Sequence, residues 1–189
     1  MYRDPQPTED DLIEYYRSGE YRRTRNDPKG LLDVDEMMRS RRIYRQLGKV
    51  ESLLDVGCSR GYLLKNAMKD GAKALGVELN PNWPIDKVTF VTSLDDVLGQ
   101  FHAIACIHTL EHVTNPRIMA DKIKKLLLPG GKLIVEVPSH RSKPNPYVYP
   151  HLCFISEPVL KRLFSPLQHI ETRTSPRAPH TNMTFIKEK

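Results

Sequence analysis

The stretch that decides the fold reads Leu53-Leu54-Asp55-Val56-Gly57-Cys58-Ser59-Arg60-Gly61. Its first part ends a short apolar run, Ser52–Val56, which is typical of a buried strand. Gly57 and Gly61, with the small Ser59 between them, let the backbone come close to a ligand where a helix begins. The stretch therefore predicts a strand, a ligand-binding turn and a helix, in that order.

Downstream of this stretch, short apolar runs alternate with amphipathic segments. The predicted strands are Ser52–Val56, Ala74–Val77, Val88–Val91, Ala103–Ile107 and Lys132–Val137. The predicted helices are Tyr62–Lys69, Pro116–Leu128 and Pro158–Phe164, and residues 126–131 predict a helix stop with a tight turn. This alternation favours a parallel sheet with helices on both faces. Two last runs, His169–Thr172 and Met183–Ile186, are expected to form a hairpin on one sheet edge.

The first 49 residues form a polar segment rich in tyrosine and arginine. Glu9–Tyr16 is predicted to be a short helix that starts at Thr8 or Asp10. Asp33–Leu47 has helical apolar spacing, and Gly48 is placed to end it. Such a segment is expected either to fold over a ligand as a lid or to be a peripheral helix with a charged surface.

Composition bounds the class of protein. A chain of 189 residues with 39% hydrophobic and 28% charged residues is long enough for one buried core. It has no run near the ~18 apolar residues of a membrane span, and its first residues lack the apolar core of a secretion signal, so we expect a cytoplasmic protein.

Its three cysteines are expected to be reduced thiols. The net charge of +6 is dispersed along the chain, which leaves nucleic-acid binding open without favouring it. The oligomeric state is not indicated.

The glycine turn is not a dinucleotide fingerprint. The G-x-G-x-x-G pattern needs glycines at the positions of Ser59 and Tyr62, so a pyrophosphate is not the favoured ligand. Glu78 ends the second predicted strand, 23 positions after Asp55. An acid at about this distance accepts the ribose hydroxyls in nucleotide-binding units, whereas a lone strand-end Glu is more often a solvent-exposed residue.

Three segments in order resemble the class I S-adenosylmethionine-dependent methyltransferase family, in particular its small-molecule branch. They are Leu54–Gly61, similar to the family's D-x-G-C-G-x-G loop; Gly76–Asn80; and the residues from Phe101 through Leu110-Glu111-His112-Val113 and Leu126–Gly131 to Val135–Pro138. The resemblance covers the central half of the chain. It implies a doubly wound, Rossmann-like α/β fold with a mostly parallel seven-stranded sheet, helices on both faces and an antiparallel edge strand. The division it implies is a helical or lid segment, 1–49, followed by a Rossmann-like methyltransferase domain, 50–189.

The resemblance also implies S-adenosylmethionine as cofactor, together with a set of residues that hold it. Asp55 and the loop residues Gly57, Cys58, Ser59 and Gly61 would hold the methionine part. The remaining positions would be Glu78 at the ribose, Leu79, Ser93 and Leu94 around the adenine, and Ile107 and His108 beneath the sulfonium. Two residues depart from the pattern: Ser59 replaces a glycine of the loop, and His102 replaces an aspartate expected to be structural.

A methyl transfer to a hydroxyl needs a base for the departing proton. The candidates for this base are His108, Glu111, His112 and His151, of which the three histidines are the predicted catalytic residues. His112 would alternatively cap or orient the following helix, and His151 would alternatively be a packing residue. No metal site is predicted, because the change from strand to helix breaks the i, i+4 spacing of His108 and His112.

The leading functional hypothesis is methyl transfer to oxygen, nitrogen or carbon of a small-molecule acceptor, such as a sugar- or quinone-like metabolite. The acceptor pocket would come from the N-terminal helices and the basic, proline-rich loop 139–151. Two alternatives remain: an RNA or protein methyltransferase that uses the basic surface, and a non-catalytic cofactor-binding or scaffold protein with the same fold.

Overall fold

The computed structural model describes residues 7–19, 31–80, 87–139, 151–174 and 180–189. Within them the elements are α1 (Glu9–Arg17), α2 (Leu31–Leu47), β1 (Ser52–Val56), α3 (Tyr62–Lys69), β2 (Lys73–Val77), β3 (Thr89–Val91), β4 (Phe101–Ile107), α4 (Pro116–Leu126), β5 (Leu127–Pro138), α5 (Glu157–Phe164), β6 (Gln168–Thr174) and β7 (His180–Ile186). Single 3-10 turns lie at Leu94–Asp96 and Leu110–His112. No helix in these ranges is long and apolar enough to cross a bilayer. The basic part of the loop, 140–150, and the arginines at 22, 23 and 25 lie outside the described residues.

The strands form one sheet in the order β3-β2-β1-β4-β5-β7-β6. The first five of these strands are mutually parallel, and β7 runs antiparallel to both of its neighbours. The predicted hairpin of β6 and β7 is confirmed at the sheet edge, where β7 lies between β5 and β6. The chain order reverses between β1 and β4, which is where open α/β sheets bind ligands at the carboxyl ends of their strands. This is the predicted fold class.

The two faces of the sheet carry separate apolar clusters. Leu54 and Val56 of β1 belong to a cluster that α4 and α5 cover, through residues such as Ile123 and Phe164. Leu53 belongs to the opposite cluster with residues of α2 and α3. Because side chains alternate across a strand, one apolar run supplies both layers. The α2 helix is therefore packed against the core, and the predicted domain boundary at 49/50 stays a prediction.

The predicted turn at 126–131 is wrong. The α4 helix ends at Leu126, and residues 127–131 already belong to β5. Leu127 pairs with Phe101, and a register shift follows before the next pair. The amide of Gly130 donates to the carbonyl of Lys187 at 2.7 Å, and the amide of Lys187 donates to the carbonyl of Gly131 at 3.0 Å. Tertiary pairing thus outweighs the local turn preference of Pro-Gly-Gly.

Candidate active site

A cavity of about 730 Å³ opens at the carboxyl ends of β1, β2 and β4. Its size is within the range of small-molecule and cofactor sites, about 300–1,000 Å³. Residues that follow the strands form its floor, and α1 closes part of its opposite side through Leu12, Ile13 and Tyr16. The cavity therefore lies at the switch point that the sheet topology defines.

The glycine loop needs backbone conformations that most residues avoid. Gly57, Ser59 and Gly61 have φ angles of +79°, +46° and +66°. A Cβ at Gly57 would overlap the side chain of Thr109, whose hydroxyl donates to the carbonyl of Val56 at 3.0 Å. Glycine at position 57 therefore lets the loop backbone pack directly against the residues that follow β4.

Glu78 is held in place at the rim of this loop. Its carboxylate accepts hydrogen bonds from the amide of Ser59 at 3.0 Å and from the amide of Asn80 at 3.2 Å. Glu78, Leu79 and Asn80 all line the cavity. A carboxylate oriented by two backbone amides at the end of β2 has the placement that recognition of a ribose requires.

Asp55 lies beneath the loop and is only 5% exposed. It lines a small annex of about 70 Å³, which shares Gly57 and Ser59 with the main cavity. Among the described residues, no side chain or amide donates a hydrogen bond to its carboxyl. Burial, followed by the charges of Glu78 and Glu36, raises the pKa of Asp55 to about 7. This buried and unpartnered carboxyl favours a cation in the annex and disfavours a phosphate.

Cys58 of the loop has a packing role. Its side chain fills the space that a Cβ at Gly76 would need. Burial and the charges of Asp55 and Glu78 raise the pKa of its thiol, so it is not a reactive thiolate. All three cysteines of the chain are free.

His108 ends β4 between two buried carboxylates. Its Nδ1 lies 3.2 Å from Oε1 of Glu111, and its Nε2 lies 3.3 Å from Oε1 of Glu136. The second contact is an ion pair without hydrogen-bond alignment. Burial alone would lower the pKa of His108, but the two carboxylates outweigh it and raise the pKa. His180 stacks edge-on against this ring at 4.5 Å, and burial together with the His108 charge lowers its pKa to about 4. The two neighbouring rings are thus shifted in opposite directions, His108 towards its charged form and His180 towards its neutral form.

Glu136 anchors α2 to the centre of the sheet. It is fully buried, and Nη2 of Arg42 lies 2.9 and 2.6 Å from its two oxygens. Asn182 of β7 donates to the same carboxylate at 2.9 Å. Burial would raise the pKa of Glu136, but His108 and Arg42 hold it well below the usual range. This network connects α2, β4, β5 and β7 under one end of the cavity.

A second polar cluster lies on the other side of His108. One ligand-type atom from each of Glu111, His112 and His151 lies within 4.8 Å of the other two. The rings of His112 and His151 are 4.8 Å apart, and the amide of Leu152 donates to the carbonyl of Glu111 at 2.8 Å. His112 does not cap α4, because the side chain of Asn115 does so. The three side chains therefore converge on one part of the cavity wall.

The α1 helix brings the N-terminal segment onto this cluster. Its N-cap is Thr8, which forms a capping box with Asp11. Thr8 is one of the two starts that the sequence predicts for this helix. Leu12 and Tyr15 are buried, and the ring of Tyr16 lies edge-on to His112 at 6.1 Å. The helix therefore covers the part of the cavity that the histidines line.

The cavity collects most of the residues that the sequence predicts for the site. The predicted cofactor residues that line it are Gly57, Ser59, Glu78, Leu79, Ser93, Leu94, Ile107 and His108, and all three predicted catalytic histidines line it too. Asp55 and Cys58 line the annex instead, and Gly61 starts α3 as its N-cap. His102 lies away from the cavity, where its Nδ1 is 2.9 Å from the hydroxyl of Ser52.

Several site residues were not predicted from the sequence: Glu36, Arg39, Glu136, His180 and Tyr16. For Glu136 the sequence does carry a signal, since it is a charged residue inside the apolar run 133–137. Charges are rare at such positions unless they are paired.

Fold and site together define a class of protein. A parallel sheet of this strand order, with a glycine loop after β1 and a fixed acid after β2, is a nucleoside-binding α/β domain. The model of a methyltransferase domain matches residues 24–168, well over half of the chain. The chain belongs to this family of methyltransferase domains.

Curated relatives match over part of the sequence. The ubiquinone biosynthesis O-methyltransferase of Erwinia tasmaniensis is 30% identical in an alignment of 108 residues, and the match covers 49% of this chain and 44% of that protein. The corresponding protein of Dechloromonas aromatica is 26% identical in an alignment of 150 residues, and the match covers 71% of this chain and 58% of that protein. The chain spans about half the length of the curated relatives it matches.

Solved structures match over almost the whole chain and show the fold. Magnesium protoporphyrin IX methyltransferase from Synechocystis PCC 6803, solved with bound S-adenosylmethionine, has a TM-score of 0.73 at 14% identity and covers 98% of this chain and 100% of its own. The 1,6-didemethyltoxoflavin-N1-methyltransferase of Burkholderia thailandensis has a TM-score of 0.70 at 19% identity, with coverage of 99% and 93%.

Proposed function

We propose that this protein binds S-adenosylmethionine and transfers its methyl group to a small-molecule acceptor. The observation that carries the proposal is the buried carboxyl of Asp55 beneath the glycine loop, which accepts no hydrogen bond from any residue that the structure describes. A loop of this shape serves several nucleotide-like ligands, but an acid below it selects against phosphate and for a cationic group. Family membership supports the same assignment.

The residues present fit this cofactor. Asp55 would hold the ammonium of its methionine part, close to Gly57 and Ser59, which line both the annex and the cavity. Glu78 would accept the ribose hydroxyls, while Leu79, Ser93 and Leu94 would surround the adenine, and Ile107 would lie beneath the sulfonium. When bound, the cofactor supplies an electrophilic methyl group, so the protein has only to align the acceptor and exclude water.

The histidine side of the cavity would take the acceptor. We infer that the acceptor reacts through a hydroxyl, because that reaction needs a base and two histidines, His112 and His151, converge with Glu111 at this side of the cavity. His108 lies between the carboxylates of Glu111 and Glu136, so we assign it the role of positioning this end of the site. The names of the curated relatives, O-methyltransferases of ubiquinone biosynthesis, support a hydroxyl on a quinone-like ring.

Titration calorimetry with S-adenosylmethionine and S-adenosylhomocysteine tests the cofactor. We expect both to bind. If neither bound, the small-molecule and the RNA or protein methyltransferase hypotheses would both be excluded. Binding without transfer to any metabolite pool would favour a scaffold, and transfer to RNA or protein alone would favour the polymer alternative.

Replacing Glu78 by alanine is expected to weaken S-adenosylhomocysteine binding by tenfold or more. The reason is that hydrogen bonds to a charged group contribute about 1.5–3 kcal/mol each. Glu51→Ala, at an exposed carboxylate outside the cavity, is the matched control and should bind normally. Unchanged affinity of Glu78→Ala would remove Glu78 from the ribose role.

Replacing His151 by alanine is expected to lower kcat about 10²–10⁴-fold, the usual contribution of a general base, with little change in cofactor affinity. His102→Ala, at a histidine away from the cavity, should keep kcat. Equal losses of stability and of activity in His151→Ala would mark the residue as packing.

A further inference from the structure

We propose that helix α2 recognises the amino-acid end of the cofactor, with Glu36 binding its ammonium alongside Asp55 and Arg39 binding its carboxylate. This inference rests on the proposed cofactor. It adds to the glycine loop a second layer of recognition, which belongs to the N-terminal segment.

The annex of about 70 Å³ is where these charges meet. It is lined by Asp55 from the end of β1 and by Glu36 and Arg39 from α2. Glu36 and Arg39 also line the main cavity, so a ligand that extends from one space to the other passes both. Two acids and one guanidinium around a space of this size match an α-amino-acid group, which carries one positive and one negative charge.

The charges that line the annex favour a cationic occupant. Asp55 is 5% exposed, accepts no hydrogen bond from the described residues and faces a second carboxylate in Glu36. Two carboxyls this close repel each other when both are ionised. An ammonium between them removes the repulsion, and its N–H groups supply the donors that Asp55 lacks.

Arg39 is available for a carboxylate. Its Nε lies 3.7 Å from Oε1 of Glu136, beyond hydrogen-bond distance. Glu136 is already bound by Arg42 and Asn182. A guanidinium so placed has donors left for a planar carboxylate, for which Arg is the preferred partner.

Ser59 positions Glu36. Its hydroxyl donates to the two carboxylate oxygens of Glu36 at 3.2 and 3.4 Å. One turn earlier on α2, Asp33 pairs with Arg60 of the same loop at 2.8 Å. Ser59 keeps a left-handed φ of +46° that favours glycine, yet glycine could not make this hydrogen bond. The serine in the loop is thus explained by the acid on α2.

The test compares two ligands by titration calorimetry. S-adenosylhomocysteine has the amino-acid end, and 5′-methylthioadenosine has the same nucleoside without it. Glu36→Gln and Arg39→Gln should each weaken S-adenosylhomocysteine binding about tenfold, the loss expected when one charge-assisted hydrogen bond is removed. They should leave methylthioadenosine binding within about twofold.

The matched controls are Asp35→Asn and Arg41→Gln, which make the same charge changes at exposed positions of α2. They should bind both ligands normally. Equal losses for both ligands in Glu36→Gln and Arg39→Gln, or no loss for S-adenosylhomocysteine, would overturn the proposal. Failure of the unmodified protein to bind either ligand would instead overturn the proposed cofactor.

A third variant isolates the positioning role of Ser59. Ser59→Gly relieves the backbone strain but removes the hydroxyl, so we expect weaker S-adenosylhomocysteine binding with unchanged methylthioadenosine binding. Equal or tighter binding of S-adenosylhomocysteine would show that the hydroxyl does not position Glu36.

Discussion

Replacing Glu136 by alanine should lower the free energy of unfolding by about 3–5 kcal/mol, the usual cost of removing one partner from a buried ion pair. Glu136 is fully buried and has contacts with Arg42, His108 and Asn182. Its removal takes away the carboxylate that Arg42 binds and leaves His108 with one neighbouring carboxylate instead of two. Urea unfolding followed by circular dichroism measures the change.

An exposed ion pair of similar length is the control for this prediction. Arg173 and Glu171 lie 2.8 Å apart on the exposed strand β6. Breaking such a pair with Glu171→Gln should cost less than about 1 kcal/mol. A loss from Glu136→Ala no larger than this would mean that the network does not contribute to stability.

The contribution of the Glu136 network should also depend on pH. The pKa of Glu136 is lowered on folding, so its contribution is present above the ordinary value of 4.5 and is lost as the pH falls from there through its lower folded value. The pKa of His108 is raised, so its contribution is present below 6.5 and is lost as the pH rises through its folded value. The stability difference between the unmodified protein and Glu136→Gln should therefore be largest between these two values.

The core of the fold follows from local sequence. β1 at Ser52–Val56 and α3 at Tyr62–Lys69 have the predicted bounds, because an apolar run, a glycine loop and a helical pattern all agree there. The early start of β5 could not be predicted from the sequence. It depends on pairing between Leu127 and Phe101, residues that only the folded sheet brings together.

The candidate site likewise contains some residues that the sequence predicts and others that only the folded structure brings to it. Glu78 and the loop glycines have fixed spacing after predicted strands, so the sequence places them. Glu36 and Arg39 belong to a helix whose docking on the loop is set by tertiary contacts such as Asp33 with Arg60. A charge on an amphipathic helix is usually a solvated one, and only the structure shows these two at the annex.

Replacing Asp55 by asparagine should have opposite effects on stability and on binding. The pKa of Asp55 is raised from 3.8 to about 7. Asp55 therefore costs no stability below 3.8, and the cost grows as the pH rises to about 7, where the buried carboxyl ionises. At pH 8 the asparagine variant should be more stable by up to about 4 kcal/mol, since one pKa unit corresponds to about 1.4 kcal/mol.

The same substitution should weaken S-adenosylhomocysteine binding by tenfold or more, because the amide cannot supply the charge that holds the ammonium. In the unmodified protein the affinity should rise with pH through about 7 as Asp55 ionises, and binding should release a proton, which calorimetry in buffers of different ionisation enthalpy detects. Asp55→Asn should bind with neither the pH dependence nor the proton release.

Asp96→Asn, at an exposed aspartate outside the cavity and the annex, is the matched control and should retain both. If Asp55→Asn were less stable at pH 8 and still bound S-adenosylhomocysteine normally, then Asp55 would be a structural carboxylate. The buried charge of Asp55 thus lowers the stability of the folded protein and strengthens the binding of the ligand. A variant that gains stability and loses affinity would show this trade-off between folding and binding directly.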